Sequence, residues 1–301
     1  MSHDHAGHSH AVSPDADQRK LAIALALILG FMAAEVVAAI LADSLALLSD
    51  AAHMLTDAAA IALALVAARL ARRPAQGALT YGLGRAEILS AQFNGATLLV
   101  LGLLIVYEGI RRLVEPPDVP GAALLVVACA GIVVNLAAAR VLASAERRSL
   151  NVEGAFQHIV TDLAAFIATA VAGAVILATG WVRADGVAAL IVAAIMLRSA
   201  YGLLKASGRV FLEAAPEGVD VPALGRAMAA TPGVTEVHDL HVWEVTSGFP
   251  ALSAHVLVGA RQNCHDTRRV LERLLHDEFA IEHTTLQVDH EGGDLLHIES
   301  V

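Results

Sequence analysis

Six apolar runs limit the fold of this chain more than any single motif does: Leu21–Leu41, Leu45–Leu70, Ala86–Leu113, Ala122–Leu142, Gly154–Thr179 and Gly186–Leu204. Each is about 20 residues or longer, enough to cross the roughly 30 Å hydrocarbon layer of a bilayer. Lipid offers backbone polar groups no partner, so each run has to be a helix that bonds to itself. The whole sequence agrees: 56% of its 301 residues are hydrophobic and 17% charged, and the mean hydropathy is +0.62. Short connections favour antiparallel neighbours in a bundle, and the many Gly and Ala residues let helices approach closely. The loop Glu115-Pro116-Pro117-Asp118-Val119-Pro120 must interrupt a helix.

The placement of Lys and Arg orients the bundle. With the N-terminus in the cytoplasm, twelve basic residues flank the inner ends of the runs, against Arg111, Arg112 and Arg183 at the outer ends. The expectation is a six-span protein of an inner membrane with both termini cytoplasmic. A net charge of −10 argues against nucleic acid as a partner. Cys129 and Cys264 lie far apart without CxxC spacing, which points to neither a disulfide framework nor a cysteine metal site. No cleavable signal peptide is visible, and the first apolar run would itself direct insertion.

From about Ala206 the pattern becomes that of a soluble domain. Val219–Ala230 reads as an amphipathic helix. Val234–Glu244 and Ala251–Val258 read as strands joined by a turn at Ser247-Gly248-Phe249-Pro250, Cys264–Glu278 as a helix and Thr284–Val288 as a third strand. The order αββαβ suits a small α+β domain of ferredoxin-like kind. The expected organisation is a tail over residues 1–20, a six-helix transmembrane domain over 21–205 and a cytoplasmic domain over 206–301. The tail carries His3, His5, His8 and His10 and cannot form a core; it is either a flexible end or a transient metal trap.

Ionisable groups inside the apolar runs point to function, because burying them in hydrocarbon is costly. His53 and Asp57 are one turn apart on the second run, with Asp50 one turn earlier; His158 and Asp162 repeat the spacing on the fifth. Two such helices can converge as two imidazoles and two carboxylates, a set that favours Zn2+, with Co2+, Fe2+, Ni2+ or Cd2+ possible, over Mg2+ or Ca2+. Asp50 reads as a supporting residue. Of the other polar residues, Asp43 falls at the outer interface, Asn94 reads as interhelical glue, and Glu35 and Asn135 fit either a cavity wall or such glue. Binding would displace protons, since ligating His must be neutral and Asp ionised, so proton re-entry could drive metal export. An intramembrane metalloenzyme would want an HExxH-like activating Glu, and neither run offers one. A metal sensor and an uncoupled channel are the other readings.

Leu47-Leu48-Ser49-Asp50-Ala51-Ala52-His53-Met54-Leu55-Thr56-Asp57, together with His158-xxx-Asp162, resembles the cation diffusion facilitator family, especially its zinc-transporting members. Tyr81-Gly82-x-Gly84-Arg85-Ala86-Glu87, Asn135 and His238-Asp239-Leu240-His241-Val242-Trp243 extend the match from Leu21 to about Val288. The resemblance implies a homodimeric antiporter exchanging cytoplasmic zinc for protons, with a metal-binding, dimerising cytoplasmic domain. It places the transport ligands at His53, Asp57, His158 and Asp162, and His53 favours zinc over cadmium. It also implies a cytoplasmic metal site at His238, His255 and Asp289, although Gln287 stands where some relatives carry His. Leu79 and Leu83 replace the histidines of a second site that some bacterial members have, so none is expected there.

Overall fold

Each apolar run folds as a helix. A computed structural model of the chain describes residues 14–41, 45–116, 121–145 and 149–291, and within them the side chains of residues 14–16, 38–39, 45–53 and 121–124 are not described. The helices are α1 (Pro14–Leu41), α2 (Leu45–Ala71), α3 (Arg85–Val114), α4 (Gly121–Ala143), α5 (Leu150–Thr179) and α6 (Ala184–Phe211). All six contain stretches long and apolar enough to cross a membrane. The chain divides into two units after Ser207.

Three helices outrun their apolar runs by a turn or more. α1 starts at Pro14 rather than Leu21, α5 at Leu150 rather than Gly154, and α6 continues past Leu204 to Phe211. Pro suits a first helical position because the N–H it lacks would have had no partner there. The added turns are polar, so counting apolar residues passes over them, yet they carry contacts. Gln18 donates from Nε2 to the Ala68 carbonyl at 3.1 Å, and Lys20 donates to the Ser144 carbonyl. α3 stops at Val114 because Pro116 disfavours the helical conformation for Glu115, whose φ and ψ are −124° and 81°.

In the first unit, α1, α2, α4 and α5 share one core. Leu21, Ala24 and Ile28 of α1 meet Ile61, Ala64 and Leu65 of α2, Ala138 and Leu142 of α4, and Val152, Ala155 and Ile159 of α5. Spacings of three and four put each set on one helix face. Large apolar residues such as Leu103, Leu104 and Tyr107 of α3 point outward, as a helix facing lipid requires.

α3 and α6 meet differently. A methyl group at Gly95, Gly102 or Gly109 would lie 3.0 Å from the side chain of Leu204, Leu197 or Leu190 respectively. Glycines seven apart on one helix thus receive leucines seven apart on the other, running antiparallel, and the missing side chains allow the close approach. At one end of this seam Arg112 binds Asp185 at 2.5 Å; at the other Ser207 donates to Gln92.

The second unit begins with α7 (Val221–Ala229), capped by Asp220 accepting from the Ala223 N–H at 3.0 Å. β1 (Val234–Thr246) and β2 (Phe249–Val258) form a hairpin, α8 (Cys264–Phe279) crosses over, and β3 (His283–His290) lies parallel to β2. The sheet order is β1-β2-β3, with Leu224, Met228, Leu271 and Leu275 of the helices packed on Leu252, Ala254 and Val256. This is the α+β arrangement the sequence pattern predicts. The turn is shorter than expected: Phe249 pairs with Thr246, leaving only Ser247-Gly248 outside the strands. Gly248 takes φ +73°, the left-handed backbone that two-residue hairpins favour.

Filling the α3–α6 seam tests its closeness. Gly102→Leu should lower stability by about 1–3 kcal/mol, the usual effect of overpacking, read as a lower melting midpoint of the detergent-purified protein, while Gly30→Leu, where a methyl would meet nothing within 4 Å, should change it far less.

Candidate metal centre

Asp57 of α2 faces His158 and Asp162 of α5 inside the first unit. Nε2 of His158 lies 2.8 Å from Oδ1 of Asp57 and 4.0 Å from Oδ2 of Asp162. One ligand atom from each of the three can be chosen so that all lie within 4.8 Å of one another, a spacing that fits a shared ion; it is the only such group of His, Cys, Asp and Glu among the described residues. All three are shielded, with His158 fully buried, Asp57 6% exposed and Asp162 9% exposed. His53 lies on α2 one turn before Asp57, but its side chain, like that of Asp50, falls outside the described residues. So do His3, His5, His8, His10 and Asp43.

The register of α5 on α2 comes from a residue that sequence reasoning passed over. Asn151 donates from Nδ2 to the Ala64 carbonyl at 2.7 Å and is fully buried. Asn151 is seven residues before His158, and Ala64 is seven after Asp57. Two antiparallel helices are therefore pinned at two points, two turns apart on each. Asn151 and His158 share a face because seven residues make nearly two turns, and that spacing is readable from sequence. Asn151 escaped notice because it precedes the apolar run.

The N-terminal ends of α3 and α5 are joined as well. Ser149, just before α5, donates from Oγ to Glu87 Oε2 at 2.7 Å instead of capping its own helix. Three further polar residues lie within α3, α4 and α5. Asn94 is fully buried, and neither its nitrogen nor its oxygen meets a hydrogen-bond partner among the described residues. Asn135 donates back to Gly131 of its own helix at 3.1 Å. Gln157 donates to Glu153 at 2.9 Å.

What the apolar bundle surrounds is thus an imidazole flanked by carboxylates, suited to a divalent ion. Two family models match the same two regions: the cation efflux transmembrane domain over residues 21–212, and the cation efflux protein cytoplasmic domain over residues 216–291. The chain belongs to the cation diffusion facilitator family. It is 42% identical over 286 residues to the cation efflux system protein CzcD of Alcaligenes sp. (strain CT14), covering 94% of this chain and 90% of that one. It is 37% identical over 290 residues to the cadmium, cobalt and zinc/H(+)-K(+) antiporter of Bacillus subtilis (strain 168), covering 95% and 93%. To the zinc transporter ZitB of Escherichia coli (strain K12) it is 38% identical over 296 residues, covering 97% and 93%. This family member is accordingly a multi-pass membrane protein.

In the second unit, His238 and His255 are paired across β1 and β2 with ring centres 5.4 Å apart. Asp289 does not join them as closely as the three groups of the first unit join. Gln287, not Asp289, is the β3 residue paired with His255; Asp289 pairs with Leu257 and accepts a hydrogen bond from Gln287 at 2.8 Å. Asp239 is nearer, with Oδ2 3.9 Å from Nδ1 of His255. A bulge between His238 and His241 puts Asp239 at φ +49°, and such bulges redirect side chains.

If Asn151 sets the α2–α5 register, Asn151→Leu should weaken Zn2+ binding to the purified protein by calorimetric titration while lowering thermal stability only modestly, on the order of 0.6 kcal/mol for one interhelical hydrogen bond in a membrane.

Proposed function

We propose that this chain exports divalent transition-metal cations, with Zn2+ the principal substrate and Co2+, Cd2+, Fe2+ or Ni2+ further candidates, in exchange for protons. The observation that carries this reading is the convergence of Asp57, His158 and Asp162 between α2 and α5, within an otherwise apolar bundle. His53, one turn before Asp57, is the proposed fourth donor, completing a tetrahedral set of two imidazoles and two carboxylates. The names carried by relatives, a zinc transporter and a cadmium, cobalt and zinc antiporter, support the same substrate class.

The chemistry of the donors supplies the coupling. Without a cation, one proton is shared across the 2.8 Å between His158 Nε2 and Asp57 Oδ1. To ligate, Nε2 must present its lone pair and both carboxylates must be ionised. Cation and protons therefore compete for the same atoms. A site that opens alternately to each side of the membrane and holds either one or the other exchanges them, and a proton gradient directed inward drives the cation outward. Such a protein is a secondary active transporter, not an enzyme. We place it in an inner membrane with both termini cytoplasmic, on the asymmetry of basic residues, and working as a homodimer through its C-terminal domain. In that domain His238 and His255, with Asp289, form the proposed second cation site, with a regulatory role.

Proteoliposomes loaded with a pH dye test the reading. An imposed Zn2+ gradient should move protons in the opposite direction in the wild type, and Asp162→Ala should abolish both fluxes. Zinc movement without protons would replace antiport by a uniport or channel mechanism. Zinc binding without any movement would return the sensor reading. The competition also has a sign: the apparent affinity for Zn2+ should fall as pH is lowered, because each displaced proton opposes binding, and titrations across a pH series would measure how many there are.

A further inference from the structure

On α3 and α5 several buried polar atoms lack partners among the described residues. On α3, Ser90 Oγ and both side-chain polar atoms of Asn94 are buried and meet no hydrogen-bond partner among the described residues; on α5 the same holds for His158 Nδ1 and Gln157 Oε1. Ser90 and Asn94 are one turn apart. From the Ser149–Glu87 bond, seven residues along α3 reach Asn94 and seven along α5 reach Phe156, between Gly154 and His158. A methyl group at Gly154 would stand 3.8 Å from Asn94 Nδ2. The Asn94 amide thus sits against Gly154, one turn before His158 on the same face of α5. Buried polar groups are almost always satisfied, and those left over call for an explanation.

A metal-binding histidine presents one nitrogen to the ion and directs the other to a hydrogen-bond partner that holds the ring and its tautomer. Nε2 of His158 faces Asp57 and Asp162, so Nδ1 is the nitrogen in need of that partner. We propose that Asn94 is the positioning residue for His158, reaching Nδ1 through a bridging water. An amide suits this place because it both donates and accepts. With a cation on Nε2, Nδ1 carries the proton and the Asn94 oxygen receives it through the water. With the proton on Nε2 toward Asp57, Nδ1 accepts and the Asn94 NH2 group supplies the donor. Asn94 therefore supports both the loaded and the empty site. This inference rests on the reading of Asp57, His158 and Asp162 as a cation site.

The test uses the full-length protein in detergent with Co2+ as a spectroscopic probe, following only the visible absorption that Asp162→Ala removes. Asn94→Leu, close in shape but without polar atoms, should weaken Co2+ binding there by about 10- to 100-fold. Asn94→Ser, which keeps a donor and an acceptor, should recover part of the loss. In a His158→Ala background Asn94→Leu should have no further effect, since the two residues act as one unit. The melting midpoint of the cation-free protein should be unchanged or raised by Asn94→Leu, because an orphaned amide is removed. A purely structural role would instead lower that midpoint and leave affinity within about twofold, or weaken binding equally with and without His158; either result overturns the proposal. If Asp162→Ala removes no Co2+ signal, the cation-site reading and this inference fall together. If it removes the signal and Asn94→Leu does not weaken it, only this inference fails.

Discussion

The contact between His158 and Asp57 decides how the membrane unit packs. A carboxylate at membrane depth costs a few kcal/mol even on the gentler insertion scales, and here two carboxylates and an imidazole are withdrawn from water together. Those groups are tolerable only in each other's company or with an ion, so α2 and α5 have to meet along this face. Ala64, Ala155 and other small neighbours allow the approach, and Asn151 repeats the connection two turns away. α1 and α4 then enclose the pair in a shared apolar core.

The unit combines two kinds of helix packing. Between α2 and α5 the polar contacts are particular: His158 meets Asp57, and Asn151 meets the Ala64 carbonyl. Along α3 and α6 they are steric and repetitive, with three glycines accepting three leucines at the same interval. Lipid gives no hydrophobic drive for helices to associate, so close packing of this second kind has to supply the attraction. α3 takes part in both, since its first turn also receives the Ser149 hydroxyl.

Much of this was legible in the sequence. Six apolar runs could only be helices, and a His-xxx-Asp spacing on two of them could only be costly unless the groups met. Asp57, His158 and Asp162 came forward on that argument. Asn151 did not, because polar residues ahead of an apolar run look like loop when hydrocarbon length is the measure. The Gly95-Gly102-Gly109 and Leu190-Leu197-Leu204 series were present to be read, but nothing in one chain announces that two distant heptads face each other. The second unit's α+β order followed from alternation and turn residues. Its histidine pair came forward only through the family resemblance, and the place of Asp289 depended on strand register, which pairs Gln287 rather than Asp289 with His255.

α3 and α5 each contain 30 residues, so at 1.5 Å per residue each runs about 45 Å, well beyond the roughly 30 Å thickness of hydrocarbon. The surplus has to be taken up by inclination, by projection into the headgroups or by local thickening of the bilayer. Because the two helices are parallel and tied at their first turns, they must lean as a pair. A thinner or thicker bilayer therefore reaches the polar cluster as a common change of slope, and hardly at all as a slip of one helix along the other.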